Sequence, residues 1–121
     1  MTSATILVAE DEPGVRELIV EILNTAGYTV LVAGDGNEAL RILAERNGQI
    51  DLLLTDIRMP GLSGLDLADE AVLGKPWCRV LYLTGYPDDL ARMADPRLYG
   101  KLMWKPFQSA QLLEGVANAL A

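Results

Sequence analysis

Histidine is absent from the 121 residues, and cysteine occurs once, at Cys78. Those two shortages exclude zinc sites of the usual His/Cys kind and any disulfide framework. Long apolar runs are missing as well. None approaches the ~20 residues a membrane span needs, and the N-terminus lacks the basic-then-apolar order of a signal peptide. A soluble cytoplasmic protein without a membrane partner is therefore expected. Positive charge is scarce too: Lys and Arg number 10 against 17 Asp and Glu, for a net charge of −7. Nonspecific nucleic-acid binding relies on basic patches, so no nucleic-acid partner is expected. Apolar residues, by contrast, are plentiful. Hydrophobic residues make up 50% of the chain, enough for one domain over residues 1–121 with a full core.

Apolar segments alternate with amphipathic ones from end to end. Thr5–Ala9, Tyr28–Ala33, Ile50–Thr55, Val80–Thr84 and Lys101–Trp104 read as strands, short and apolar throughout. Val15, Leu18, Ile19, Ile22 and Leu23 recur at helical spacing, with Gly27 placed where a helix C-terminus favours glycine. Asp35-Gly36-Asn37-Glu38 resembles a capping box and opens a helix carrying Ala39, Leu40 and Leu43. Ser63–Val72 predicts a helix with Leu65, Ala68 and Val72 on one face, ended by Gly74 and Pro76. A short helix over Asp88–Ala94 and a closing helix over Ser109–Ala121 complete the set. Strands interleaved with helices and buried on both faces predict a five-stranded parallel α/β sheet. At this length the order 2-1-3-4-5, with helices on both faces, is expected.

In such sheets ligands bind beyond the carboxyl ends of the strands. There the chain places its reactive residues: Glu10-Asp11-Glu12 after strand one, Asp56 after strand three, Thr84-Gly85 after strand four and Lys105 after strand five. Singly, each has a bland explanation. Acids favour helix starts, an Asp before Met59-Pro60-Gly61 can form a turn, and a Thr or Lys at a strand end is ordinary. Their joint occurrence at one sheet edge is what the bland readings leave out. A carboxylate can accept a phosphoryl group as an aspartyl phosphate. An all-oxygen pocket of a few carboxylates suits Mg2+, and Asp11 and Asp56, with Glu10 directly or through water, could hold it. Lys105 and the Thr84 hydroxyl would then hold the phosphoryl oxygens, with Gly85 keeping the neighbouring backbone clear of bulk.

With those residues in place, the sequence resembles the receiver domains of two-component response regulators. The signature runs are Ile6-Leu7-Val8-Ala9-Glu10-Asp11-Glu12, Asp56-Ile57-Arg58-Met59-Pro60-Gly61-Leu62-Ser63-Gly64, Leu83-Thr84-Gly85-Tyr86 and Lys105-Pro106-Phe107. The resemblance covers essentially the whole chain and implies a flavodoxin-like (βα)5 fold. It implies Asp56 as phosphoacceptor, with Thr84 and Lys105 as switch hydroxyl and lysine. It implies a metal site of Glu10, Asp11, Asp56 and the Arg58 backbone carbonyl, filled by Mg2+ with Mn2+ as a substitute. It further implies a cis Lys105–Pro106 peptide, and phosphoryl transfer from a histidine kinase or histidine phosphotransfer partner that alters a protein-interaction surface. The domain would be no enzyme beyond taking up the phosphoryl group from a donor and losing it by its own hydrolysis. Two positions depart from the common pattern: Leu102 where an aromatic switch is usual, and Glu10 where Asp is commoner.

Rival functions are weaker. An aspartate-nucleophile hydrolase typically has a second acid two residues after the nucleophile, and here Arg58 stands there. A flavin protein of similar topology needs a phosphate-binding loop after strand one, where three acids would repel it. Because the chain ends with its closing helix, it is expected to be a free-standing receiver or one cut from a longer protein such as a hybrid kinase. Leu102 and Trp104, two apart in strand five, share a face of the sheet, and signalling is expected through the face built by the helix near Asp88–Ala94, strand five and the closing helix. Arg58 and Tyr86, poor general bases flanking the acceptor site, predict slow self-dephosphorylation.

Overall fold

The computed structural model describes residues 3–46, 49–74, 78–85 and 101–121. Its strands are β1 (Thr5–Ala9), β2 (Thr29–Ala33), β3 (Leu52–Asp56), β4 (Arg79–Thr84) and β5 (Leu102–Trp104). Its helices are α1 (Pro13–Thr25), α2 (Gly36–Glu45), α3 (Gly64–Gly74) and α4 (Ser109–Leu120). The sheet is parallel throughout, in the order β2-β1-β3-β4-β5. The expected helix over Asp88–Ala94, and with it Pro76 and Tyr86, lie outside the described residues.

Period-2 alternation along the strands divides the core into two layers. Leu7, Ala9, Leu53 and Tyr82 face α2 and α3, meeting Ala39, Leu43, Leu67, Ala68 and Ala71. Ile6, Val8, Leu52, Leu54, Leu81 and Leu83 face α1 and α4, meeting Ile19, Leu23, Leu112 and Val116. Both faces of β1, β3 and β4 are covered, which is why these strands are apolar without alternation.

Local signals set the element ends. Asp35 caps α2 by accepting a hydrogen bond from Glu38 N at 2.7 Å. The reciprocal half of the expected capping box is displaced by one residue, since Glu38 Oε2 accepts from Gly34 N instead. Gly27 takes φ 95° just past α1, as a helix terminus there requires. Strand β3 starts two residues later and ends one residue later than the periodicity predicts, so Asp56 is the last residue of the ladder, paired in register with Leu83. Two residues expected in the core are exposed: Leu18 at 49% and Val72 at 47%. On α3, Leu67 and Ala71 take the buried face in place of Val72. Leu102 packs against the α2/α3 layer, and Trp104 is partly open at the sheet edge.

Candidate phosphoryl-acceptor and metal site

The parallel register brings the carboxyl ends of four strands to one edge. Ala9 pairs with Thr55, Asp56 with Leu83, and Thr84 with Trp104. Residues one step beyond β1 and β5, and the last residues of β3 and β4, therefore converge. The loop after β3 is pinned from two sides. A Cβ on Gly64 would run into the Asp56 carbonyl, and one on Gly36 would run into the Leu62 carbonyl. Glycine at both positions lets α3 and α2 close tightly against this loop.

Glu10 is fully buried, its backbone N bonded to Ala33 O at 3.1 Å. Its Oε1 accepts from Glu12 N at 3.2 Å and its Oε2 from Lys105 Nζ at 2.9 Å. Its carboxylate is thus shared between the backbone at the start of α1 and the Lys105 ammonium. Asp11 is exposed, and Asp56 is 4% exposed. One carboxylate oxygen from each of Glu10, Asp11 and Asp56 lies within 4.8 Å of the others. Lys105 Nζ stands 2.6 Å from Asp56 Oδ1. That approach makes an ion pair by distance but lies off the hydrogen-bonding direction, so Asp56 Oδ1 is buried without a hydrogen-bond donor. The oxygen is paired by charge and still has lone pairs open.

Electrostatics follow from this crowding. Burial, then the neighbouring Glu10 carboxylate, raise the Asp56 pKa to about 9 against the opposing pull of Lys105. Burial alone would lower Lys105, yet its contacts with the Asp56 and Glu10 carboxylates overcome that and raise it. Three carboxylate oxygens this close, with repulsion that raises the Asp56 pKa, could hold a cation. The donors are all oxygen, which suits a hard divalent ion such as Mg2+. The open lone pairs of Asp56 Oδ1 fit the same ion.

Asp11, Asp56, Arg58, Thr84, Gly85 and Lys105 border one small cleft, with Glu12 and Leu83 completing its wall. Glu10 lies beneath it. The residues the sequence assigned to the acceptor and the metal are thus brought to one place, with the Lys105–Pro106 peptide cis as the resemblance implied. Among the described residues, a Cβ on Gly85 would stand 3.6 Å from Lys105 Cβ, an ordinary contact. One residue escaped the sequence reading. Arg16 Nη1 donates to the Glu10 carbonyl at 2.9 Å, and an arginine in a first helical turn carries no signal that would mark it.

The response regulator receiver domain family model matches residues 6–117. Sensor kinase CckA of Brucella abortus is 36% identical over 119 residues, covering 98% of this chain and 13% of that protein. Response regulator receiver protein CpdR of the same organism is 33% identical over 121 residues, covering 95% of each. The solved structure of response regulator protein TrrA from Thermotoga maritima, in complex with Mg(2+)-BeF, matches with a TM-score of 0.84 at 35% identity, covering 97% of this chain and 99% of that one. The chain spans less than half the length of several curated relatives it matches. No helix among the described residues is long and apolar enough to cross a membrane.

Proposed function

The chain belongs to the response regulator receiver domain family and is a phosphoryl-accepting signalling switch, and on that premise we propose that Asp56 is the acceptor. The observation that carries this is the buried Asp56 Oδ1, without a hydrogen-bond donor and 2.6 Å from Lys105 at the mouth of an acidic cleft. Asp56 attacks phosphorus, so an O–P bond forms as the donor's N–P bond breaks and the histidine leaves with the bonding electrons. The donor is a phosphohistidine on a kinase or phosphotransfer protein; with no histidine, this chain cannot itself supply it. Lys105 and Thr84, both bordering the cleft, hold phosphoryl oxygens as charge develops on them. Glu10 holds Lys105 in place from below.

Glu10, Asp11, Asp56 and the Arg58 backbone carbonyl would bind Mg2+, which supplies the positive charge that lets an anionic acceptor meet an anionic donor. The Mg(2+)-BeF complex of the Thermotoga maritima relative supports that choice of ion; Mn2+, of similar hardness, would substitute. Self-dephosphorylation would be slow, because the Arg58 guanidinium beside the cleft cannot serve as a general base. Output would pass through contacts with a protein partner, and the likeness to a sensor kinase over 13% of its length favours a second setting, the receiver module of a hybrid kinase.

The test is incubation with a small-molecule phosphodonor and Mg2+, followed by intact-mass measurement. Wild type gains one phosphoryl group, and Asp56→Asn gains none. Equal phosphoryl uptake by the Asn variant would remove Asp56 from its role.

A further inference from the structure

Among the described residues, Asp11 makes no side-chain hydrogen bond that fixes its direction; its aim depends on the backbone that carries it. Glu10 is held on its N–H by Ala33 and on its carboxylate by Glu12 and Lys105. That leaves the carbonyl of the Glu10–Asp11 peptide, and Arg16 Nη1 holds it at 2.9 Å. Arg16 also closes the turn through its own backbone, its N–H bonding to Glu12 O at 2.9 Å. Arg16 is half-buried, and its guanidinium sits against the backbone just past β2, where a Cβ on Gly34 would approach Nη1 to 3.3 Å. Gly34 N in turn donates to Glu38 Oε2 at 3.2 Å, which ties that backbone to α2.

We infer that Arg16 is a positioning residue for the metal site: by fixing the Glu10–Asp11 peptide it aims the Asp11 carboxylate at those of Glu10 and Asp56. This rests on the reading of Glu10, Asp11 and Asp56 as metal ligands. Two physical effects act together. A guanidinium cannot lose its proton and presents fixed N–H vectors, so the carbonyl it binds stays where it is. Its positive charge also stands against the turn that carries two of three acids, easing their mutual repulsion before a cation arrives. Removing a partner that orients a metal ligand typically weakens metal binding by about 10- to 100-fold.

The experiment titrates the whole chain with Mg2+ alone and follows amide chemical shifts, with melting temperature recorded in EDTA. Arg16→Met should weaken Mg2+ affinity by about tenfold, and Arg16→Lys should recover part of it. Gly34→Ala leaves every charge in place and crowds the guanidinium by a few tenths of an ångström, so it should weaken affinity by a smaller factor. Affinities for Arg16→Met and Gly34→Ala equal to wild type overturn the inference, as does a lower melting temperature with Mg2+ affinity intact. If wild type itself binds no Mg2+, the site reading falls together with the inference; if wild type binds and the variants match it, only the inference falls.

Discussion

The middles of β1 and β3 and their carboxyl ends are equally buried, but for opposite energetic reasons. Leu7, Val8, Leu53 and Leu54 are wholly inside, and each such side chain gains roughly 1.5–3 kcal/mol by leaving water. Glu10 and Asp56 are as deep, yet burial there removes hydration from carboxylates that already repel each other. Lys105 offsets part of that cost, through contacts of 2.9 Å to Glu10 and 2.6 Å to Asp56, and the Glu12 N–H adds a hydrogen bond to Glu10. The middles supply the stability that holds the ends in an arrangement they would not adopt alone. Local rules are broken where chemistry is needed, and the layers beneath make the break tolerable.

Separating the two regions by mutation gives the largest expected effect. Leu54 lies in the α1/α4 layer, two residues before the acceptor on the same strand. Leu54→Ala should cost roughly 2–5 kcal/mol of stability through lost burial and a residual cavity. Mg2+ affinity of the folded molecule should stay as in wild type. Urea unfolding with Mg2+ titration checks both. A stability loss accompanied by a matching loss of Mg2+ affinity would mean that the middle and the end are one unit.

A smaller effect reads the cost at the strand ends directly. The Asp56 pKa is raised to about 9 from an ordinary 3.8, so the folded state binds that proton more tightly than the unfolded state does. Its contribution to stability is therefore fully present below pH ~4 and is lost as pH rises toward ~9. Asp56→Asn cannot titrate, and it leaves Glu10 its 2.9 Å partner in Lys105. In EDTA the Asn variant should gain on wild type as pH rises through that window. Mg2+ should close the gap, because a cation replaces the proton and stabilises the state it binds. Melting temperatures at several pH values decide it. A gap that is constant with pH, or one that widens in favour of wild type, would remove the strain from the comparison.

Much of this was legible in the residues themselves. Unalternating strands at regular spacing specify a parallel sheet, and β1 matches its predicted bounds of Thr5–Ala9. Strand-end acids, Thr84 and Lys105 specify the site because a parallel sheet brings like ends together. Elsewhere the signals were degenerate. Leu18 and Val72 fit a helical stripe, but on a helix lying over a sheet only part of that stripe reaches the core, and both are left outside. The bounds of β3 slipped because Ile50 is as apolar and as buried as the strand proper, so composition does not mark where pairing begins. Arg16 was illegible for a different reason: its role is a bond to a backbone carbonyl, which leaves no pattern among neighbouring residue types. Gly85 is a different case: beside Thr84, it meets no described residue closely enough to require glycine.

That last point gives the smallest expected effect. A methyl added inside the layered core must displace packed neighbours, and overpacking there commonly costs ~1–3 kcal/mol. At Gly85 the new Cβ would rest 3.6 Å from Lys105 Cβ and 3.9 Å from its Cδ, the aliphatic stem of a side chain whose ammonium group is held elsewhere. The backbone at Gly85 is also outside the left-handed region; Gly27 and Gly61 are the positive-φ glycines among the described residues. Neither backbone strain nor collision with a described residue opposes alanine, and a shorter list of unfolded conformations favours it. Gly85→Ala should thus change stability by no more than ~0.5 kcal/mol, the range of an ordinary surface substitution, and leave Mg2+ affinity unaltered. Gly64→Ala, whose Cβ would meet the Asp56 carbonyl, serves as the contrasting variant and should lose both. Urea midpoints and Mg2+ titrations of the pair measure how much slack the strand ends have. Equal damage from the two substitutions would show that the ends are packed as tightly as the middles, and the distinction between the regions would then rest on charge alone.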